Sequence, residues 1–417
     1  MKLSKYNTYL NISSRIGCIY NSFTDKAIVF CGDAKGIESS KCVPENLNAK
    51  FLDNGILVDD DIDEFDRFVE WARSVEKSDD VFHLMINPTL NCNFNCHYCY
   101  ESHFKSKMSP DIMGRVKRLI VEKMGQGMNL VISFFGGEPM LYYENIMKPL
   151  ILFAISQAKK HQLNFSCNMT SNGFLLDEER IKWLGEHAFD HAQITLDGSK
   201  GMHNKVRYRF EGDNTYDKIV ENIGLLAKHG IGVTLRLNCT HDNIVSLTDI
   251  APSFEHLSQE EKKKIVVDTH VVWQEANQKI LLDSMDKIVS SFTVRGIPGQ
   301  KMDFRGFCYA DRINSCLVNF NGDVFKCSAK DFSKIPRDGF IDEQGNIIWE
   351  NDSLNKRMQS KFRNHPCKEC RIFPLCHGGC STNSLEHHDY CMHRFSDVEK
   401  EEVVKNRIIH NSNNMTP

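Results

Sequence analysis

Three cysteines in the first third of the chain are the residues best suited to chemistry. The segment reads Asn91-Cys92-Asn93-Phe94-Asn95-Cys96-His97-Tyr98-Cys99-Tyr100. Three thiolates on one short loop can bind three irons of a cubane [4Fe–4S] cluster and leave the fourth iron without a protein ligand. Such an open metal position can bind and activate a small molecule. The spacing alone also allows a zinc site completed by His97 or His103.

The spacing Cys92-x3-Cys96-x2-Cys99, with aromatic Tyr98 before the last cysteine, resembles the signature of radical S-adenosylmethionine (radical SAM) enzymes. In that family the amino and carboxylate groups of the cofactor's methionine chelate the open iron. An electron from the cluster breaks the sulfonium, which gives methionine and a 5′-deoxyadenosyl radical that removes a hydrogen atom from the substrate. The resemblance therefore implies an iron–sulfur enzyme with S-adenosylmethionine as cofactor.

Further motifs follow in the order expected for that family. The segment Gly136-Gly137-Glu138-Pro139 resembles the motif that binds the methionine amino group, because glycines let backbone approach a ligand and Glu138 can accept from an ammonium. Thr170-Ser171-Asn172-Gly173 resembles the ribose-side motif, and Leu196-Asp197-Gly198 with His203 and Arg207 resembles a run of the subfamily. The residues predicted to bind the cofactor are Tyr98, Gly136, Gly137, Glu138, Pro139, Ser171, Asn172, Asp197, Arg207 and Arg236.

Each of these motifs also has a plain structural explanation. Gly-Gly before proline is a common turn, and an Asp and an Arg in a strand-to-helix loop are often simply solvated. Arg236, close to Asn238 at a strand end, can pair with the methionine carboxylate or lie in a structural ion pair. The sequence names no catalytic acid or base.

Eight of the sixteen cysteines lie in residues 300–417. The pattern Cys308-x13-Gly322-x4-Cys327, then Cys367-x2-Cys370-x5-Cys376-x3-Cys380, then Cys391, resembles the seven-cysteine SPASM domain of peptide-modifying radical enzymes. By that resemblance Cys308, Cys327 and Cys380 bind one auxiliary [4Fe–4S] cluster, and Cys367, Cys370, Cys376 and Cys391 bind a second, which makes three [4Fe–4S] clusters in all. Two zinc sites are the alternative.

Cys316 lies outside the seven cysteines of that pattern. Phe320-Asn321-Gly322-Asp323 reads as a hairpin with a two-residue Asn-Gly turn, and counting outward pairs residue 316 with Cys327. Opposed residues share a face of the hairpin, so Cys316 is a candidate fourth ligand of the cluster that Cys327 binds. A buried packing cysteine is the equally weighted alternative.

The elements that must position these residues alternate short strands and helices over residues 81–295. The expected strands are His83–Asn87, Leu130–Phe135, Phe165–Met169, Gln193–Leu196, Gly232–Leu237 and Lys264–Asp268. Alternation implies a parallel sheet whose ligands gather at the carboxyl ends of the strands. The predicted fold is α/β, a partial (β/α)6 TIM-like barrel at 81–295, with a small α+β domain at 1–80 and a cysteine-rich cluster domain at 296–417.

Residues 1–80 contain an expected hairpin, Ile16–Asn21 with Lys26–Phe30, and an amphipathic helix around Phe65, Val69 and Ala72. In peptide maturases a small hairpin-and-helix domain at this position often binds the leader of the precursor, and a structural cap on the barrel is the alternative for this segment. The favoured function is therefore a maturase that crosslinks a ribosomally made peptide. An anaerobic sulfatase maturase that makes formylglycine is the runner-up, and a non-catalytic electron-transfer protein is the third alternative.

The composition sets the expected surroundings of the protein. The net charge of −4 gives no reason to expect nucleic acid, and no apolar stretch is long enough to span a membrane. The start of the chain lacks the apolar core of a secretory signal, so a cytoplasmic protein is expected. The predicted partners are a peptide or protein substrate and an electron donor such as flavodoxin or ferredoxin.

Overall fold

The structure is a computed structural model that describes residues 1–77, 80–276, 278–300, 308–387, 389, 391, 393 and 395–413. The described residues form two compact units. Unit 1 comprises 1–79, 303–313 and 354–417, and unit 2 comprises 80–302 and 314–353. In the described part of the chain, no helix combines the length and the apolar character that a membrane span requires.

Fifteen strands are present in the described residues. They are β1 (Lys2–Leu3), β2 (Asn7–Asn11), β3 (Ile16–Asn21), β4 (Lys26–Cys31), β5 (Leu57–Val58), β6 (Val81–Ile86), β7 (Asn129–Phe134), β8 (Phe165–Ser171), β9 (Phe189–Leu196), β10 (Gly232–Cys239), β11 (Ile265–Val271), β12 (Ser315–Val318), β13 (Asp323–Phe325), β14 (Gly339–Ile341) and β15 (Ile347–Trp349).

Fifteen α-helices accompany these strands in the same described residues. They are α1 (Ala34–Ser40), α2 (Asn48–Asp53), α3 (Glu64–Lys77), α4 (Pro110–Gly125), α5 (Lys148–His161), α6 (Glu178–Glu186), α7 (Lys200–Val206), α8 (Tyr216–Lys228), α9 (Gln259–Lys262), α10 (Gln278–Thr293), α11 (Ser353–Arg363), α12 (His365–Lys368), α13 (Phe373–Cys376), α14 (Ser381–Glu386) and α15 (Asp397–Asn413).

Unit 2 is built on a ten-stranded open sheet in the order β11-β10-β9-β8-β7-β6-β12-β13-β14-β15. Strands β6 to β11 are the six expected strands, and neighbours among them pair in parallel. The predicted α/β class with a central parallel sheet is therefore confirmed. The expected hairpin around Asn321-Gly322 is present as β12 and β13. The sequence did not predict that β12 would continue the sheet in parallel beside β6, or that β14 and β15 would follow β13 antiparallel.

The main core of unit 2 forms where alternate strand residues meet the helices. Phe82, Leu84 and Ile86 of β6 are buried against the apolar side of α4, which presents Val116 and Leu119. The helix α4 begins as expected, because the Ser109 side chain accepts from the Ile112 N–H and proline occupies the first turn. The candidate site therefore lies on the other face of the sheet, at the carboxyl ends of its strands.

Unit 1 joins the first 79 residues with the last part of the chain. It contains a two-stranded sheet of β1 and β5 and a three-stranded sheet in the order β2-β3-β4, in which β3 and β4 are the two strands of the expected hairpin. Tyr20 of β3 packs with Ile372 and Leu375, and Phe68 of the expected helix α3 packs with Phe373. The division at residues 80 and 295 stays a prediction, but the N-terminal segment shares two apolar clusters with the cysteine-rich segment.

The hairpin near Cys316 corrects a prediction about register. Its strands pair Leu317 with Phe325, so Cys316 lies opposite Lys326 and not opposite Cys327. The cause is a longer turn: the Gly322 N–H bonds the Asn319 carbonyl, and Gly322 has φ +87°. This is a three-residue loop that ends in a left-handed glycine bulge.

The shift of one residue turns the Cys316 side chain to the face opposite Cys327, because strand side chains alternate. Cys316 is 1% exposed and belongs to the main core with Leu84. Burial raises the pKa of its thiol to about 12. The register predicted for Cys316 was therefore wrong, and the assignment of Cys316 as a cluster ligand stays a prediction without that support.

Candidate active site

The cysteine loop follows β6 and is held by the segment that leads to α4. Thr89 Oγ1 donates to the Ser106 carbonyl (2.7 Å), and the Leu90 N–H donates to Ser106 Oγ (2.9 Å). Nδ1 of His103 lies 3.0 Å from the Leu90 carbonyl oxygen, so this candidate zinc ligand is engaged with backbone. These bonds fix the loop on a rigid sheet.

A cavity of about 480 Å³ opens at the carboxyl ends of the parallel strands, and all three thiols line it. Its other walls come from five successive strands and the loops after them, the position at which open α/β sheets bind ligands. From those strand ends the lining residues are Phe135, Gly136, Gly137, Thr170, Ser171, Asn172, Gln193, Thr195, Arg236, Asn238, His270 and Trp273.

Glu138 braces two of these walls. Its carboxylate is fully buried and accepts from the Met140 N–H (2.9 Å), Ser171 Oγ (2.9 Å) and the Asn172 N–H (2.8 Å). Burial raises the pKa of Glu138, and these hydrogen bonds oppose the rise. The predicted contact of Glu138 with an ammonium stays a prediction, and the structure adds a role in joining the loops after β7 and β8.

Gly136 and Gly137 let two loops of the protein approach each other. A Cβ on Gly137 would lie 2.3 Å from the Asn91 carbonyl oxygen, and one on Gly136 would lie 2.5 Å from the Thr89 carbonyl oxygen. Gly136 also has φ +96°. The sequence suggested the approach of backbone to a ligand as the reason for both glycines. The structure adds a second reason, because a side chain at either position would collide with the cysteine loop.

Tyr98 joins the cysteine loop to three other parts of the site. Its hydroxyl donates to Asp197 Oδ2, accepts from Arg207 Nη1 (2.7 Å) and accepts from Asn238 Nδ2 (3.1 Å). Its carbonyl accepts from Gln274 Nε2 (3.1 Å). Three side chains are thus brought together around one phenol, and a fourth bonds the backbone of the same residue.

His203 and Arg236 hold neighbouring residues in place. Nδ1 of His203 accepts from the Asp197 N–H (3.3 Å), and burial lowers the pKa of His203 to about 3, so the ring is neutral. Arg236 Nη1 lies 3.4 Å from Asp268 Oδ2, and its Nε donates to Asn238 Oδ1 (3.2 Å). The structural ion pair foreseen for Arg236 is present, although the side chain also lines the cavity.

Sequence reasoning missed the wall formed by β11 and the loop after it. Asp268 Oδ2 lies 2.8 Å from His270 Nε2, and both side chains point to one face because they are two residues apart. Trp273 stacks on Tyr100 with ring centroids 5.3 Å apart. The strand was expected to end at Asp268, and continuing its alternation to Val271 would have revealed His270 at the carboxyl end.

The C-terminal cysteines fall into two sets. Cys367, Cys370, Cys376 and Cys391 line one apolar cavity in unit 1, and the Asn364 amide donates to the Cys367 sulfur (3.1 Å). Burial raises the pKa of Cys367 to about 11 and that of Cys376 to about 12. Cys308 and Cys380 belong to unit 1 and Cys327 to unit 2, so their common cluster stays a prediction.

Residues 86–251 match the model of the Radical SAM superfamily. The chain carries a radical SAM domain. It is 22% identical over 335 residues to a cysteine-type anaerobic sulfatase-maturating enzyme of Clostridium novyi, covering 72% of this chain and 88% of that protein. It is 23% identical over 321 residues to the PqqA peptide cyclase of Gluconobacter oxydans, covering 72% and 86%.

The fold of the chain is also similar to that of a solved peptide-binding structure. Streptococcus suis SuiB, bound to its precursor peptide SuiA, superposes with a TM-score of 0.54 at 14% identity, covering 94% of this chain and 99% of that chain. Together with the domain match, this confirms the expected radical SAM fold. The family implies S-adenosylmethionine and a [4Fe–4S] cluster as cofactors.

The residues of the radical SAM domain fit these cofactors. Three buried polar atoms of the site have no hydrogen-bond partner: Arg207 Nε, Asp197 Oδ1 and Asn93 Nδ2. Unpaired buried donors and acceptors are costly. Of these three residues Arg207 lines the cavity, where a polar ligand would accept from its Nε. Among the described residues, no three His, Cys, Asp or Glu side chains are grouped closely enough for one metal ion. Thiolates that bind separate irons of one cluster stand farther apart than that.

Proposed function

We propose that this protein is a radical SAM enzyme that modifies a peptide after translation. The observation that carries the proposal is the cavity at the strand ends, which is lined by Cys92, Cys96, Cys99 and seven of the ten predicted cofactor residues. Glu138, Pro139 and Asp197 are not among the residues that line it. When bound, the cluster and S-adenosylmethionine supply a 5′-deoxyadenosyl radical. The protein's own residues hold these groups, exclude water and present the substrate.

The walls of the cavity suit a peptide side chain. The stacked rings of Tyr100 and Trp273 form one wall, and Trp273 is 62% exposed. The Tyr100 hydroxyl donates to the Ser328 carbonyl (3.2 Å), which fixes this ring. His270, oriented by Asp268, supplies a polar group that can exchange a proton with the substrate.

Relatives with peptide or protein substrates support the same class. One is named for sulfatase maturation, another for cyclising the peptide PqqA, and the SuiB structure contains a precursor peptide. In the structural comparison SuiB matches 94% of this chain at a TM-score of 0.54, whereas anSMEcpe with bound AdoMet matches 81% at a TM-score of 0.61. The wider coverage by SuiB supports a peptide maturase with an additional segment.

The open edge of the N-terminal sheet is the proposed docking place for the precursor. β4 is the last strand of its sheet among the described residues. The Gly32 N–H bonds the Arg15 carbonyl, and the alternation of the ladder turns the amides of Ala27, Val29 and Cys31 away from β3. A peptide can add to such an edge as a further strand.

The two auxiliary clusters and an external electron donor such as flavodoxin or ferredoxin complete the proposal. The four thiols that line one cavity in unit 1 support the second auxiliary cluster. The clusters would carry the electron that an oxidative crosslink releases, while the donor reduces the first cluster.

Co-expression with short reading frames beside the gene tests the peptide proposal. We expect mass spectrometry to show a loss of two hydrogens per crosslink in one such peptide. The matched control replaces Cys92, Cys96 and Cys99 together by Ala, which should leave the peptide unmodified. If no neighbouring peptide changes mass while the enzyme cleaves S-adenosylmethionine, the peptide assignment fails.

Formylglycine formation on a sulfatase is the second candidate function, and the sulfatase-maturating relative favours it. Its product is distinct, since the cysteine thiol of the target is replaced by a carbonyl. Co-expression with a sulfatase bearing a target cysteine, followed by mass spectrometry, separates the two functions.

A further inference from the structure

Arg207 is a cation buried beside the cysteine loop. The residue is 8% exposed and directly follows Val206, the last residue of helix α7. Its N–H donates to the His203 carbonyl (2.7 Å), and its carbonyl accepts from the buried Thr215 hydroxyl (2.7 Å). Backbone on both sides of the side chain is therefore fixed.

The cysteine loop wraps around this guanidinium. The Asn95 N–H donates to the Tyr208 carbonyl (2.8 Å), which docks the loop next to Arg207. Arg207 Cζ lies 5.9 Å from the centre of the Phe94 ring, and Nη1 donates to the Tyr98 hydroxyl (2.7 Å). Phe94 and Tyr98 are the residues two before and two after Cys96, so the charge faces the middle of the loop.

Asp197 only partly neutralises this charge. Its Oδ2 lies 3.5 Å from Arg207 Nη1, and the Tyr98 hydroxyl bonds both groups. Among the described residues, Nε of Arg207 has no hydrogen-bond partner, so Asp197 does not saturate the guanidinium.

We propose that Arg207 is the buried countercharge of the cluster at Cys92, Cys96 and Cys99 and raises its reduction potential, with the Tyr98 hydroxyl as positioning group. Reduction adds one electron to the cluster. A fixed cation in a poorly hydrated site stabilises the added negative charge, and nearby charge is one determinant of cluster potentials. The inference rests on the proposed function, because it presupposes that cluster.

Potentiometric titration of the anaerobically reconstituted full-length protein, followed by electron paramagnetic resonance without S-adenosylmethionine, tests this inference. Omitting the cofactor removes any contact between it and Arg207. The variant with Cys92, Cys96 and Cys99 replaced by Ala gives the spectrum of the other clusters for subtraction. We expect Arg207→Gln to shift the midpoint of the first cluster to a more negative potential, and Arg207→Lys to restore most of it.

The opposite charge change is the decisive control. Asp197→Asn should shift the midpoint to a more positive potential, and Tyr98→Phe, which alters no charge, should shift it less than either. Structural damage would not reverse sign with the charge removed. Unchanged midpoints, or equal signs for Arg207→Gln and Asp197→Asn, overturn the inference but leave the proposed function standing. If the Arg207→Gln variant binds no first cluster, the Asp197→Asn variant decides alone: a midpoint potential that is unchanged or more negative than that of the wild type overturns the inference. A wild type without a first cluster overturns both.

Discussion

At the scale of single residues, most of the site consists of groups that hold other groups. Glu138 joins two loops, His203 holds Asp197, and Tyr98 connects the cysteine loop with Asp197, Arg207 and Asn238. The motifs were identified from residue types, but these bonds run between residues up to 140 positions apart. Such pairings require the tertiary structure.

His203 makes the stability of the fold dependent on pH. Its pKa is about 3 in the folded protein and about 6.5 in the unfolded chain, so the unfolded chain binds more protons between these values. Stability should therefore fall as the pH falls below 6.5, by about 2 kcal/mol between pH 7 and pH 5. His203→Asn keeps an acceptor for the Asp197 N–H without a titrating ring.

Urea unfolding of the apoprotein at pH 7 and pH 5 checks this prediction. The wild type should lose about 2 kcal/mol more than His203→Asn over that interval. Equal losses in the two proteins would show that His203 is not the group responsible.

Cys316 and Cys376 form a matched pair for testing the cysteine assignments. Cys316→Ala should leave the iron content and spectrum unchanged and cost about 1 kcal/mol of stability, because it only shortens a packed side chain. Cys376→Ala removes one of four thiols around a common cavity and should lower the iron content. Iron loss in the Cys316 variant would restore it as a ligand.

At the scale of elements, strands β6 to β11 lie side by side in the order in which they follow along the chain. The residues after successive strands therefore come together at one edge of the sheet. Each carboxyl end from β7 to β11 contributes to one cavity. A separate feature lies in the N-terminal sheet β2-β3-β4, whose edge strand β4 contains Val29. The backbone N–H of Val29 faces away from β3, and its side chain is 52% exposed.

Val29→Pro tests strand addition directly. Proline removes the outward N–H, and edge strands tolerate it where that N–H is not in the ladder. We expect S-adenosylmethionine cleavage to persist while modification of the precursor falls at least tenfold. Val29→Thr, which keeps the N–H, should modify the peptide normally, and unchanged modification by the proline variant would exclude β4 as the docking edge.

The sequence predicted the long, regular parts of the fold well. Six strands, the cap at Ser109 and the cysteine loop have strong local signals, namely apolar alternation, turn chemistry and ligand spacing. Strands β12 to β15 are only three or four residues long, too short for alternation to be visible. The register at Cys316 was wrong because Asn321-Gly322 suits two turn lengths, and only pairing with β6 and β14 selects one.

At the scale of the whole molecule, the N-terminal segment is part of the cysteine-rich unit. Deleting residues 1–80 would expose the apolar surface around Ile372 and Phe373, so loss of activity in a truncated protein would not isolate peptide recruitment. Single substitutions on β4 avoid that problem.

The iron content reports on the whole cluster assignment. Three [4Fe–4S] clusters require about twelve irons per chain after anaerobic reconstitution, and about eight when Cys92, Cys96 and Cys99 are replaced by Ala. Iron and sulfide analysis checks both numbers. Saturation near four irons would refute the two auxiliary clusters.

The central claim is that the cavity cleaves S-adenosylmethionine by one-electron reduction. Reconstituted protein incubated anaerobically with S-adenosylmethionine and dithionite should release 5′-deoxyadenosine and methionine, measured by liquid chromatography and mass spectrometry. Replacing Cys92, Cys96 and Cys99 by Ala should abolish both products. If iron-loaded wild-type protein releases no 5′-deoxyadenosine, the protein is an electron carrier or metal protein and the account is wrong.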